Sequence, residues 1–163
     1  MMTRRAACVA AILVVAFALL PLRGIAHEIA VVMVTAAAKG TFPSGTTYKG
    51  VPLSGLRFGT GVEIPGDTSA TGEFQATLLG TSGGQPQNII VEGLVSSGSA
   101  GNGTATFSGT CTVDMADGTP ISKGVLFTAT ITADADGKGT IVLKLGTTNL
   151  PTATVNEGSM TIQ

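Results

Sequence analysis

The sequence predicts an all-β fold: a single antiparallel meander that forms a β-sandwich or a small barrel of about eight strands, preceded by a cleavable signal-peptide helix. Three observations support this prediction. Apolar and hydroxyl-bearing residues alternate along most of the chain, which is typical of strands with one buried and one wet face. Short turns rich in Gly, Asn and Asp separate these segments, and short connections favour antiparallel neighbours. The N-terminus has the composition of an export signal.

The clearest strand is predicted over Thr104–Asp114, where Phe107 and Cys111 share one face and threonines occupy the other. β-branched Thr suits a pleated surface that also meets water. Residues 125–134 repeat this pattern. The other strands are predicted over residues 29–37, 56–64, 72–79, 87–96, 140–145 and 152–162. The irregular stretch 38–55 is expected to be a functional loop or a crossover between sheets.

Residues 1–26 contain the three parts of a secretory signal peptide. The segment begins with basic residues, continues with an apolar run that ends at Leu20, and finishes with small residues up to Ala26. We therefore expect cleavage between Ala26 and His27, which leaves an all-β domain over residues 27–163 and exports it to the periplasm or the extracellular space. The apolar run is shorter than the roughly 20 residues that cross a bilayer, so no membrane span is expected after cleavage.

The charge of the predicted mature chain argues against nucleic-acid binding. Three of the nine basic residues lie in the leader, so six remain against ten acidic residues, a formal charge of −4. Binding to a phosphate backbone requires clustered Lys and Arg, and no such cluster is present. The partner is therefore expected to be an unknown protein or a small ligand.

Cys111 is the only cysteine that remains after cleavage, because Cys8 lies in the leader. An intramolecular disulfide is therefore impossible, although the destination is oxidising. Cys111 shares its predicted strand face with Phe107 and Val113, so a buried, unreactive thiol is expected. The alternative is a linkage to another chain, which requires the side chain to point outward.

His27 is the one candidate metal ligand with a suggestive position. As a mature N-terminus, it would offer an α-amino group and an imidazole, which together can chelate copper. It is the only His in the chain, so the second imidazole that such a site prefers is missing.

The segment Asp134-Ala135-Asp136-Gly137 resembles part of a calcium loop but lacks the closing Glu, and we expect a hairpin turn there.

No catalytic site and no cofactor are predicted. Acid–base catalysis needs two carboxylates across a cleft, and nothing in the sequence brings together any two of Glu63, Asp67, Glu73 and Glu92. The Thr-x-Thr pairs could form a hydroxyl array of the kind seen in some ice-binding proteins, but strand threonines usually just face solvent.

The leading functional hypothesis is therefore an exported, non-catalytic structural or interaction module that makes contact through edge strands and residues 38–55. The first alternative is a small-ligand barrel, whose cavity would be lined by apolar side chains. The expected lining residues are Phe74, Leu78, Phe107, Phe127, Ile131 and Leu143. The second alternative is a copper-binding protein that uses His27.

Overall fold

A computed structural model describes residues 31–66 and 68–163, and the regular structure of this part is entirely β-strand. The strands are β1 (Val32–Thr41), β2 (Thr47–Tyr48), β3 (Val51–Ile64), β4 (Ser69–Ser82), β5 (Gln85–Gly101), β6 (Thr104–Asp114), β7 (Ser122–Ala133), β8 (Gly139–Leu145), β9 (Thr148–Asn149) and β10 (Ala153–Ile162). The eight long strands pair in chain order as an antiparallel meander. The all-β meander predicted from the sequence is therefore confirmed.

The sheet closes into a ring because β1 pairs on both sides. One side of β1 pairs with β3 and the other with β10, the last strand of the chain. This closure favours the barrel over the sandwich, and we refer to the ring as the barrel. Each long strand has two neighbours, so few edges of these eight strands are free, and contact through edge strands stays a prediction. Only the two-residue strands β2 and β9 pair on one side.

Alternation of side chains separates the inside of the barrel from its outside. β6 runs over Thr104–Asp114 as predicted, with Phe107 and Cys111 buried inside and its threonines outside. Other strands extend beyond their predicted limits. β5 covers residues 85–101 rather than 87–96, because polar residues at both ends stay paired with β4 and β6.

The centre of the barrel is filled by aromatic side chains. The ring of Phe74 lies 5.5 Å from that of Phe127 and 5.9 Å from that of Phe107, centroid to centroid. All three rings are buried. On β5, a Cβ at Gly93 would lie only 2.7 Å from the Phe127 ring, so glycine is needed there for close packing. An eight-stranded barrel is just wide enough for side chains to fill it.

The middle of the predicted loop covers one end of the barrel. Residues 38–41 continue β1 and residues 51–55 begin β3. Between them, Phe42 and Tyr48 are buried and join the core. The Thr46 hydroxyl donates a hydrogen bond to the carbonyl of Pro43 at 2.7 Å, and this fixes the turn. The stretch is thus not a crossover between sheets but a cover held by its own hydrogen bonds, and its expected functional role stays a prediction.

The predicted signal peptide, its helix and the cleavage point at Ala26 and His27 lie outside the described residues. Within the part of the chain that the structure describes, no helix is long and apolar enough to cross a membrane.

Replacement of Phe74 by Ala is expected to lower the free energy of unfolding by about 3–5 kcal/mol, because it leaves a cavity between two aromatic neighbours. Urea denaturation of the wild type and the variant measures this difference. Val31→Ala, at an exposed position, is the control and should change it by less than about 0.5 kcal/mol. Similar losses in the two variants would show that the barrel interior is not packed as described.

Candidate functional site: the outer wall of strands β4 to β7

The outward side chains of β4, β5, β6 and β7 form a continuous surface that we call the outer wall. Strand register aligns Glu73, Leu94, Thr110 and Leu126 in one row across these four strands. Adjacent strands lie about 4.8 Å apart, so the row spans roughly 14 Å. The pairing of four neighbouring strands therefore brings together residues that are distant in sequence.

A groove of about 400 Å³ runs over this wall, and its lining includes Glu73, Gln75, Glu92 and Leu94. Gln75 pairs with Glu92, and Glu73 pairs with Leu94. The two carboxylate residues are therefore diagonal neighbours on adjacent strands, about 7–8 Å apart. Nothing in the sequence brings these two carboxylates together; the register between β4 and β5 does.

Most of the exposed large apolar residues lie on or beside this wall. Leu94 and Leu126 are 65% and 68% exposed, and Ile90 and Ile121 are 44% and 49% exposed. We call these four residues the apolar patch. Among the described residues, the fifth exposed large apolar side chain is Val31, near the start of β1. The patch thus contains four of the five exposed large apolar side chains of the described residues, in two rows with Glu92, Thr112 and Lys123 between them.

The patch was not predicted from the sequence, although the alternation along β5 and β7 carries a signal for it. Leu126 lies two residues before Thr128 on the same strand, so both side chains are on one face, and the threonines of this segment are predicted to face solvent. Ile90 and Leu94 likewise lie two residues before and after Glu92 on one strand, so all three side chains are on one face. An apolar residue at a position where the pattern predicts a solvent-facing side chain breaks the alternation of a half-buried strand. These breaks mark the apolar residues that face outward.

The charged groups around the patch are free of ion pairs. Within residues 31–66 and 68–163, the one ion pair joins Lys39 to Glu157 across β1 and β10, at 2.8 Å. In this part of the chain, therefore, no ion pair neutralises the acidic groups of the wall or the basic groups beside it. The acidic residues are Glu73 and Glu92, and the basic residues are Arg57, Lys123 and Lys144.

The predicted metal candidates do not converge in the described part of the chain. His27 lies outside it, and so does Asp67, one of the carboxylates considered for acid–base catalysis. Among the residues that the structure does describe, no group of three or more His, Cys, Asp or Glu side chains is placed to hold a metal ion. Asp134 forms the expected hairpin turn, because its Oδ1 accepts the backbone amides of Asp136 at 3.0 Å and Lys138 at 2.7 Å.

The threonine hydroxyls of β6 and β7 bond to each other across the strands. The distance is 3.0 Å between the hydroxyls of Thr106 and Thr130 and 3.2 Å between those of Thr104 and Thr132. The sheet curves around the barrel, so this array is not flat. The geometry is that of ordinary solvent-facing strand threonines.

Cys111 points into the barrel, and the expectation of a buried thiol is confirmed. Burial raises its pKa to about 11, from an ordinary value of 9.0. The pKa of Tyr48 is also raised, mainly by burial and further by the nearby Cys111. A thiol in this environment stays protonated at neutral pH and cannot reach another chain.

Comparison with protein-family models, with curated proteins and with solved structures finds no significant match to this chain.

The raised pKa of Cys111 predicts a specific loss of stability at alkaline pH. A thiol whose pKa is higher in the folded state stabilises the fold fully below its unfolded pKa of 9.0, and this contribution is lost as pH rises through about 11. Between these values, we expect the free energy of unfolding to fall more steeply for the wild type than for Cys111→Ala. Urea denaturation at a series of pH values measures both slopes.

The comparison of slopes has an internal control, because every lysine remains in both proteins. Tyr48 also remains, but the variant lacks the part of its raised pKa that Cys111 causes, so the difference in slopes reports Cys111 together with its effect on Tyr48. Parallel slopes for wild type and variant would contradict the burial of Cys111. Rapid alkylation of the native thiol at pH 8 would contradict it as well.

Proposed function

We propose that the protein is an exported, non-catalytic interaction module whose contact surface is the outer wall, centred on the apolar patch. The observation that carries this proposal is the exposure of Leu94 and Leu126, both about two-thirds in water, in one register row. Clustered apolar side chains on an otherwise polar surface typically mark sites of protein contact. A contact that covers them removes this apolar area from water.

The rest of the barrel leaves few other routes to a partner. Closure of the ring occupies most edges of the long strands. In the described part of the chain, strand addition is therefore limited to β2, β9 and the part of β10 beyond its three-residue pairing with β8. One barrel end is covered by Phe42 and Tyr48. The outer wall, with its groove and its uncompensated charges, is therefore the surface that we propose for binding.

The two other candidate functions receive less support from the described residues. The six side chains expected to line a ligand cavity are at most 2% exposed, and the three phenylalanines among them pack against one another. A small-ligand carrier would have to open this core. Copper binding through His27 stays a separate proposal, because His27 lies outside the described residues.

Site-specific photocrosslinking in cells that export the protein tests the proposal. A photoreactive amino acid at position 126 should give a discrete protein adduct that disappears when Leu94 is changed to Asp. The matched control is position 35, because Thr35 is exposed on β1 at the opposite side of the ring. Absence of an adduct at position 126, or equal adducts at both positions, would count against the outer wall as the contact surface.

A further inference from the structure

The two leucines of the apolar patch are placed symmetrically about β6. Leu94 on β5 and Leu126 on β7 both pair with Thr110 of β6, one from each side. Each leucine therefore lies about 4.8 Å from the line of β6. Their exposed fractions are nearly equal, at 65% and 68%. A twofold axis along β6 would exchange these two positions.

The two isoleucines of the patch repeat this arrangement further along the same strand. Ile90 pairs with Asp114 of β6. On the other side, Ser122 pairs with Val113, which places Ile121 beside Asp114. The exposed fractions are again similar, at 44% for Ile90 and 49% for Ile121. The patch is thus symmetric in both its rows.

Most of the charges around the patch are antisymmetric about the same line. The exception is Arg57 of β3, which lies in the row of Ile90 and lines a groove with Ile90 and Glu92. The acidic residues Glu73 and Glu92 lie on the β4 and β5 side. The basic residues lie on the opposite side, with Lys144 on β8 beside Thr128 and Lys123 on β7. A surface with an apolar centre, one acidic flank and one basic flank is complementary to a copy of itself.

We infer that the partner of the outer wall is a second copy of this chain, related to the first by a twofold axis along β6. This inference rests on the proposed function and names its partner. In this arrangement, β5 of each copy lies over β7 of the other. Leu94 then faces Leu126 of the second copy, and Ile90 faces Ile121. Such a contact is isologous, because each pair occurs twice.

The charges select this axis over the perpendicular one. With the axis along β6, Glu92 of β5 faces Lys123 of β7 in the second copy. An axis across the strands through Thr110 would instead place Glu92 opposite the uncharged serines of β5 in the second copy, and this pairing would be lost. The charge pattern therefore favours parallel alignment of β6 in the two copies.

Asp114 also lies on the proposed axis, but its carboxylate is held toward its own turn. Its Oδ1 accepts the backbone amide of Ala116 at 2.9 Å.

The curvature of two barrels that meet side by side limits the contact to a few strands of each. Small interfaces, below about 1,200 Å² in total, are usually transient, so a concentration-dependent equilibrium is expected rather than a permanent dimer.

Analytical ultracentrifugation of the exported protein tests the inference. Between about 1 µM and 1 mM, the wild type is expected to pass from monomer to dimer. Leu126→Asp should raise the dissociation constant more than about tenfold, because it places a charge in the apolar centre. Val31→Asp, which alters an exposed apolar residue outside the patch, should change it less than about twofold.

Charge reversal tests the orientation of the axis. Glu92→Lys and Lys123→Glu should each weaken the dimer by about threefold or more, and the double variant should recover most of the wild-type affinity. Circular dichroism of each variant confirms that the fold is kept. A double variant that is as weak as the single ones would overturn the proposed axis.

The outcomes also separate this inference from the proposed function. A wild type that stays monomeric over the whole range, while position 126 still crosslinks to a different protein, overturns the inference and leaves the interaction module standing. A monomeric wild type with no adduct at position 126 contradicts both. A dimer that is insensitive to Leu126→Asp overturns the inference by placing the contact elsewhere.

Discussion

The structure depends on one constraint: β1 must pair with β10 on one side and with β3 on the other. The strands meet closely at this seam. A Cβ at Gly158 would collide with the carbonyl of Ala37, and the register shifts between Lys39 and Gly40 to complete the pairing. The ion pair between Lys39 and Glu157 also crosses the seam, but its partners are exposed, so it adds little. Backbone hydrogen bonds and burial of apolar side chains close the ring.

Closure decides which surfaces remain for function. Inside the ring, Phe74, Phe107 and Phe127 fill the centre and leave the thiol of Cys111 buried and protonated. At one end, Tyr48 joins the core. Around the ring, every long strand is paired on both sides. The outer wall is the remaining surface on which leucines and isoleucines of β5 to β7 meet water, with Glu73 and Glu92 on one side and Lys123 and Lys144 on the other.

The structural features that depend on a local sequence pattern were predicted correctly. The limits of β6 agree because its alternation runs unbroken from Thr104 to Asp114, and the turn at Asp134 follows from Asp-Gly chemistry. Ring closure could not be predicted, because pairing between the first and last strands leaves no local mark in the sequence. The meeting of Glu73 and Glu92 depends on the register between β4 and β5, which two regular patterns alone do not fix. The exposure of Leu126 could be predicted from the alternation along β7, although the prediction from the sequence did not include it.

Amide hydrogen exchange along β1, resolved by NMR, tests the closure most directly. Met33 and Gln163 exchange hydrogen bonds across the seam, so in an antiparallel ladder the amides of Thr35 and Ala37 should also point to β10, and those of Ala36 and Ala38 to β3. The account predicts equally slow exchange for both sets. Fast exchange at Thr35 and Ala37, with protection at Ala36 and Ala38, would show an open seam and contradict the barrel on which the outer wall depends.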